Sequence, residues 1–431
     1  MLTIETGSTP LDFAYLAVKR LPLNKIDLLR EVALQYGNHG TTDDTGRAVA
    51  ILNEVRQDQQ RRLRHYEKLV LYPCLATDYH DIGRHDVAMD IIDETIRHSR
   101  SLLRRWEASV YAYVASTCSD IDEHERCDLL LRKVAEYVES TPRFGTSVVY
   151  NYWLGDLFAL YMRLGMVDAA ERLAGKMTGN QRVDALATLA FNGQADGECN
   201  ESLLSTAMKH SSEFSKALVA SLMIENGQFA QAIALLDQIT RSTYLRNEPL
   251  FEMVKCMLQR GDATGALELL EGLLATPHAV SIDSDHLAQI CAMLQDSNGD
   301  MLHRVLDHVS RAVEMNTRSL TRLAGMGKLV GFLAPYAPDS AESAVEQLLD
   351  SCTATLDQGT DNATDRVPVA LHTLAIAIDK HRLGWSDSRR EMYRHILARV
   401  PVPRRFEYAD LFRPKIADGT PPIVMQDPRV G

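Results

Sequence analysis

Apolar residues recur three and four positions apart along almost the whole chain. The stretches "AAERLAGKM", "SKALVASLMIENG", "LFEMVKCMLQRG", "AESAVEQLLDSC" and "ALHTLAIAID" all carry this spacing. It lays one apolar stripe down the side of an α-helix. No stretch sustains the apolar–polar alternation, bounded by turns, that hairpin strands require. The pattern predicts about twenty helices of roughly 12 to 18 residues between Leu11 and Val400. Short connections between such helices imply antiparallel neighbours, so they pair as hairpins.

One pattern is written more than once. "GQFAQAIALLDQI" begins at Gly227, and "GDATGALELLEGL" begins 34 residues later at Gly261. From Gly83, Gly165, Gly227 and Gly261, alanine follows five residues on, as Ala88, Ala170, Ala232 and Ala266. A large aliphatic comes eight on, as Ile91, Leu173, Leu235 and Leu269, and an apolar residue near the twelfth step, as Ile96, Met177, Ile239 and Leu273. Glycine ends one helix because it tolerates a left-handed backbone. The alanine marks the closest crossing of the next helix on its partner, and the aliphatics fill the seam between hairpins. One hairpin cannot bury its apolar face alone, so neighbours stack and the core runs along the array.

This unit resembles the tetratricopeptide repeat, a 34-residue helix–turn–helix. In that family a small residue seven before the closing glycine lets the two helices approach; here the positions are Ala76, Phe158, Ala220 and Val254. The family's tryptophan position falls on Tyr72, Leu154, Lys216 and Leu250, and its tyrosine position on Tyr79, Tyr161, Met223 and Met257. Its late proline is approximated by Pro277. The resemblance covers about a third of the chain and is clearest over roughly 213–280. "DALATLAFNGQ" near 184 and "ALHTLAIAIDKHRLG" near 370 read as further first helices of hairpins.

The resemblance implies that the first helix of each unit lines a concave groove that receives a protein or peptide segment. Carried over position by position, the groove residues are Tyr152, Met162 and Arg163 from one unit, Phe214, Ser221 and Glu225 from the next, and Phe251, Lys255 and Gln259 from the third. One subclass clamps a C-terminal carboxylate with lysines and asparagines. The matching positions here include Ala217, Ser221, Phe251 and Lys255, so that clamp is not preserved.

The expected architecture is therefore all-α: an α-solenoid of irregular antiparallel helical hairpins, tetratricopeptide-like, ending in a proline-rich extended tail. Residues 1–140 read as N-terminal hairpins, 141–400 as the repeat solenoid and 401–431 as the tail, which holds six of the fifteen prolines. Such a tail either runs free over the surface or docks through Phe406, Tyr408, Leu411 and Phe412.

A formal charge of −12 sets the whole-molecule field against nucleic acid and anionic lipid. Two basic runs stand against it: Arg56, Arg61, Arg62, Arg64 and Lys68, then Arg97, Arg100, Arg104 and Arg105. They read as a solvated basic face, with an acidic protein surface or RNA as the alternatives. Seven scattered cysteines without a CxxC pair read as small core residues in a reducing compartment. No basic-then-apolar leader opens the chain, and the longest apolar stretches fall far short of a membrane span. A cytoplasmic setting is expected.

Candidate chemistry is sparse. "DYHDIGRHDVAMD" holds His80-Asp81 and His85-Asp86, a pattern that all-helical metal-dependent phosphohydrolases use with further ligands, for which His39 or His65 and Asp120 or Asp122 could serve. "DSDH" at 283–286 reads as a helix cap, and "DEHERC" lacks the second histidine of a zinc-protease helix. No phosphate-cradling glycine loop or nucleophile elbow is present. The reading is a non-catalytic protein-interaction scaffold or adapter with no cofactor. A metal-dependent hydrolase at His80, Asp81, His85 and Asp86, or an RNA-binding helical repeat protein, are the alternatives.

Overall fold

The computed structural model describes residues 9–21, 25–60, 69, 71–142, 144, 148–192, 200–208, 212–274, 285–314, 319–358 and 363–400. Among them lie 21 helices and no strand. Three open the chain: α1 (Pro10–Lys19), α2 (Ile26–Asn38) and α3 (Thr42–Gln60). Hairpins follow. The first are α4 (Cys74–Asp81) with α5 (His85–Ser99), α6 (Arg104–Asp120) with α7 (His124–Ser140), and α8 (Val148–Arg163) with α9 (Val167–Lys176). The middle of the chain forms α10 (Gly179–Asn192) with α11 (Glu201–Met208), α12 (Glu213–Glu225) with α13 (Phe229–Leu236), and α14 (Thr243–Gln259) with α15 (Ala263–Leu274). The last are α16 (Asp285–Ser297) with α17 (Gly299–Glu314), α18 (Ser319–Leu333) with α19 (Pro338–Asp357), and α20 (Ala363–His381) with α21 (Asp387–Arg399).

The protein is thus an all-α helical repeat solenoid. The first helices of successive hairpins touch one another from α4 through α6, α8, α10, α12 and α14 to α16, and again between α18 and α20. Most second helices touch chiefly their own partners. On a curved stack the closer-spaced layer lies inside, so the first helices form the inner layer. Packing runs on through residue 140 without a break, since α6 contacts both α7 and α8.

The repeat pattern left the ends of the array open; the structure joins them. Helix α1 packs along α20, and α2 contacts α20 on one side and α4 on the other, which closes the inner layer on itself. At this seam Phe13 meets Trp385 and Tyr393 edge-on, with ring centroids 5.4 and 5.0 Å apart. The Arg394 guanidinium lies over the same Phe13 ring at 5.8 Å. Polar contacts border the aromatic trio. Arg20 donates to the carbonyl of Val400 at 3.0 Å, and Gln35 to the Asp379 carboxylate at 3.1 Å. The buried His372 lies 2.8 Å from Glu31, and that hydrogen bond holds the Glu31 carboxyl below its usual range. An open stack must cap the apolar face at each end. Closure buries both faces against each other.

The four glycines do what their spacing predicts. Gly83, Gly165, Gly227 and Gly261 all have φ between 70° and 83°. At each, the glycine N–H bonds the carbonyl three residues back and the next N–H bonds the carbonyl five back, as in Gly83 to His80 and Arg84 to Tyr79. This is the Schellman closure. The alanines five residues on, Ala88, Ala170, Ala232 and Ala266, are fully buried.

A fifth copy of the same closure has no glycine. Asp122 has φ 63°, its N–H bonds Ser119, and the N–H of Glu123 bonds Cys118. From it the pattern continues with Cys127, Leu130 and Val134, all buried, and with Ala115 seven residues before. Asp122 divides the interval between Gly83 and Gly165 nearly in half, which explains their uneven spacing. Aspartate is one of the few residues that tolerates the left-handed region, at a cost glycine does not carry. Asp122→Gly should therefore stabilise the fold by about 0.5–1 kcal/mol in urea unfolding; a destabilised variant would show that the carboxylate, not the backbone, holds this turn.

Candidate functional site

The inner layer carries a polar stripe on helices otherwise packed into the core. On α6 the stripe is Tyr113, Ser116 and Asp120, spaced three and four residues apart among buried neighbours. On α8 it is Asp156, Ala159 and Arg163, and on α4 it is Cys74 and Thr77. Helix-period burial leaves only this one face free, and the curvature turns it inward.

Two cavities lie on that face. One of about 370 Å³ runs between α6 and α8 and is lined by Tyr113, Ser116, Trp153, Asp156, Leu160 and Arg163 among others. The second, about 250 Å³, runs between α2, α4 and α6 and includes Arg30, Cys74, Thr77, Asp78 and Asp120. Tyr113 and Ser116 line both, so the two join into one trough across four helices.

The polar groups of the trough pair with each other across helices. Arg163 bridges to Asp120 at 2.8 Å, and the Tyr113 hydroxyl donates to Asp156 at 2.8 Å. At the far end Arg30 binds both oxygens of the buried Asp78. Desolvation pushes the Asp78 carboxyl up, and Arg30 offsets part of that rise. Burial likewise pushes the Cys74 thiol up, so it is no thiolate. The same holds elsewhere: burial takes Cys118 and Cys291 up to about 12 and Cys127 to about 11. The trough can exchange hydrogen bonds and ion pairs with a ligand; its cysteine is not poised for attack.

The groove candidates fall into three groups. Arg163 lines the trough, and Met162 beside it is half-buried against the core. Tyr152 lies on α8 among the side chains outside the described set. Around the ring, Phe214 is 59% exposed, Ser221 half-buried, and Glu225 and Gln259 exposed. Lys255 is half-buried, with its Nζ 3.0 Å from Nδ1 of His286. Phe251 is a correction: it is fully buried and belongs to the core between hairpins. Steps of four residues drift about 40° each around a helix, so Phe251 lies about 80° from the exposed Gln259, in the seam. Tyr113, Ser116 and Asp156 were not singled out in the sequence, and His286 only within a helix cap. The polar interruption at positions 113, 116 and 120 of an apolar helix was the available signal.

The His-Asp dipeptides come together only in part. His80 and His85 approach through their Nδ1 atoms at 3.2 Å, and His85 Nε2 lies 3.1 Å from Glu123. Arg84 takes both oxygens of Asp86 at 2.9 Å and holds its carboxyl down to about 2. Among the described residues no group of three or more His, Cys, Asp or Glu is placed to hold a metal ion. Of the basic runs, Arg56 contacts Tyr72 and Glu94, while Arg104 and Arg105 lie over Tyr137 and Trp106. Arg61, Arg62, Arg64 and Lys68 lie outside the described residues, as do Pro277 and the tail with Phe406, Tyr408, Leu411 and Phe412. No helix of the described residues is long and apolar enough to cross a membrane.

No protein-family model matches the chain, and no curated protein matches it. Among solved structures the chain is similar to Ton1535 from Thermococcus onnurineus NA1, with 10% identity over 85% of this chain and 92% of that one and a TM-score of 0.28. It is also similar to a circular tandem repeat protein with novel repeat topology and enhanced subunit contact surfaces, with 14% identity over 91% and 96% and a TM-score of 0.22. At such TM-scores neither likeness bears on what this chain binds, and the helical-repeat assignment stands on its own hairpins and closures.

Proposed function

We propose that the protein is a non-catalytic interaction scaffold, an adapter that holds an extended segment of a partner protein along its inner helix layer. The observation that carries this reading is the trough itself, continuous across α2, α4, α6 and α8 and lined by side chains whose ion pairs a ligand can take over. A preformed surface on stacked helices loses little entropy when a segment lies in it. The repeated Schellman closures and buried crossing alanines support tetratricopeptide-type packing, clearest in α12–α15. Free cysteines, four of the six described ones buried, suit a reducing, cytoplasmic setting.

The test places a photo-crosslinking amino acid at Ser116 in the trough or at Glu171, exposed on the second helix α9. In native lysate the Ser116 probe should give a discrete, nuclease-resistant protein adduct that the Glu171 probe does not. Adding Arg163→Glu should lower its yield about tenfold, because a like charge then faces Asp120 and the ligand. Equal labelling from both positions, or an adduct removed by nuclease, would overturn the proposal.

A further inference from the structure

The trough begins close to the place where the chain leaves the ring. Helix α21 ends at Arg399, and the carbonyl of Val400 accepts a hydrogen bond from Arg20 at 3.0 Å. Arg20 closes α1, and α2 follows from Ile26. Arg30, early in α2, binds Asp78 on α4, and both line the near end of the trough. Chain connectivity bounds the separation. A fully extended link from Arg20 to Lys25, then the helical rise to Arg30, spans at most about 25 Å. The Arg20 side chain and its hydrogen bond add about 10 Å, so Val400 lies within about 35 Å of Arg30. About eleven extended residues cover that distance, which brings Leu411 to Arg30 at the latest. About nine more cross the roughly 10 Å intervals between helices from α2 to α8.

We infer that the resident occupant of the trough is the chain's own segment 404–420, which lies across α4, α6 and α8 until a partner displaces it. This rests on the scaffold reading and adds the regulation of its site. Charge points the same way as reach. Residues 401–431 hold five arginine and lysine residues against four acidic ones, a positive excess on a chain whose total is −12. The trough has the opposite balance, with Asp78, Asp120 and Asp156 against Arg30 and Arg163. Within the segment, Arg404 and Arg405 precede Phe406, and Arg413 follows Phe412. Their guanidinium groups can take over the carboxylates of Asp120 and Asp156, which now serve Arg163 and Tyr113. The aromatic rings between them suit the apolar lining that Trp153 and Leu160 supply. A segment tethered this close meets its site at an effective concentration of the order of millimolar, so weak contacts suffice to seat it. A partner segment must outcompete that concentration, which sets a threshold for binding.

The test uses the purified full chain with the photo-crosslinking amino acid at Ser116. Mass spectrometry of the digested product should show Ser116 joined to residues 404–420. Mixing light with isotopically heavy chains should show that both ends of the link come from one molecule. The probe at Glu171 should give no such link. Replacing Arg404→Glu, Arg405→Glu, Phe406→Ser and Phe412→Ser together in the full chain should lower its yield about tenfold. In native lysate the same variant should raise the partner adduct at Ser116 about threefold or more, because the competing segment is gone. No link to the segment, a link only between two chains, equal yield from Glu171, or a yield unchanged by the four substitutions would each overturn the inference. A partner adduct without the within-chain link would sink the inference and leave the scaffold standing. The within-chain link without a partner adduct, even in the variant, would support the inference and sink the scaffold.

Discussion

Replacing Phe13 with alanine should cost about 3–5 kcal/mol of stability, because it empties the centre of the ring seam. The Phe13 side chain is 1% exposed and contacts Trp385, Tyr393 and the Arg394 guanidinium. It joins α1 to elements more than three hundred residues away in sequence. The effect should be local first, since stacked hairpins lean mainly on their neighbours. Hydrogen exchange should speed up in α1, α20 and α21 before it does in α12 to α15. Unchanged protection at the seam would show that α1 does not hold the last hairpin in solution.

The second large effect concerns the repeat phase. Ala266→Arg should destabilise by about 3–5 kcal/mol, combining an overfilled helix crossing with a buried charge that has no partner. Thr264→Arg, at an exposed position two residues earlier on the same helix, is the control and should change stability little. Ala232→Arg should behave like Ala266→Arg, because Ala232 occupies the same fully buried place one unit earlier. If both alanine variants unfold at the parent temperature, the assignment of these alanines to helix crossings fails.

The candidate groove residues show what a single chain can reveal about a site. Arg163, Phe214, Glu225 and Gln259 are exposed because periodicity alone decides which side of a helix escapes the core. Phe251 is buried because steps of four residues drift about 40° each around a helix, which carries it from the exposed Gln259 into the seam between hairpins. Pairings such as Tyr113 with Asp156, or Lys255 with His286, join residues 31 to 43 positions apart. Nothing in local spacing indicates which member of each helix will meet which member of the next.

The hairpins and their phase were written in the sequence, because each depends on contacts within about one repeat: a glycine that can adopt positive φ, an alanine five residues on, and aliphatics at helical spacing. Asp122 stood out only as a possible ligand and not as a helix closure, because aspartate can take the same backbone conformation without announcing it. Closure of the ring was decided by tertiary structure alone. Small rotations between successive hairpins accumulate into curvature, and no individual repeat encodes their sum. Whether α1 reaches α20 depends on that accumulated turn, and so does the inward aim of the polar stripe from Arg30 to Arg163.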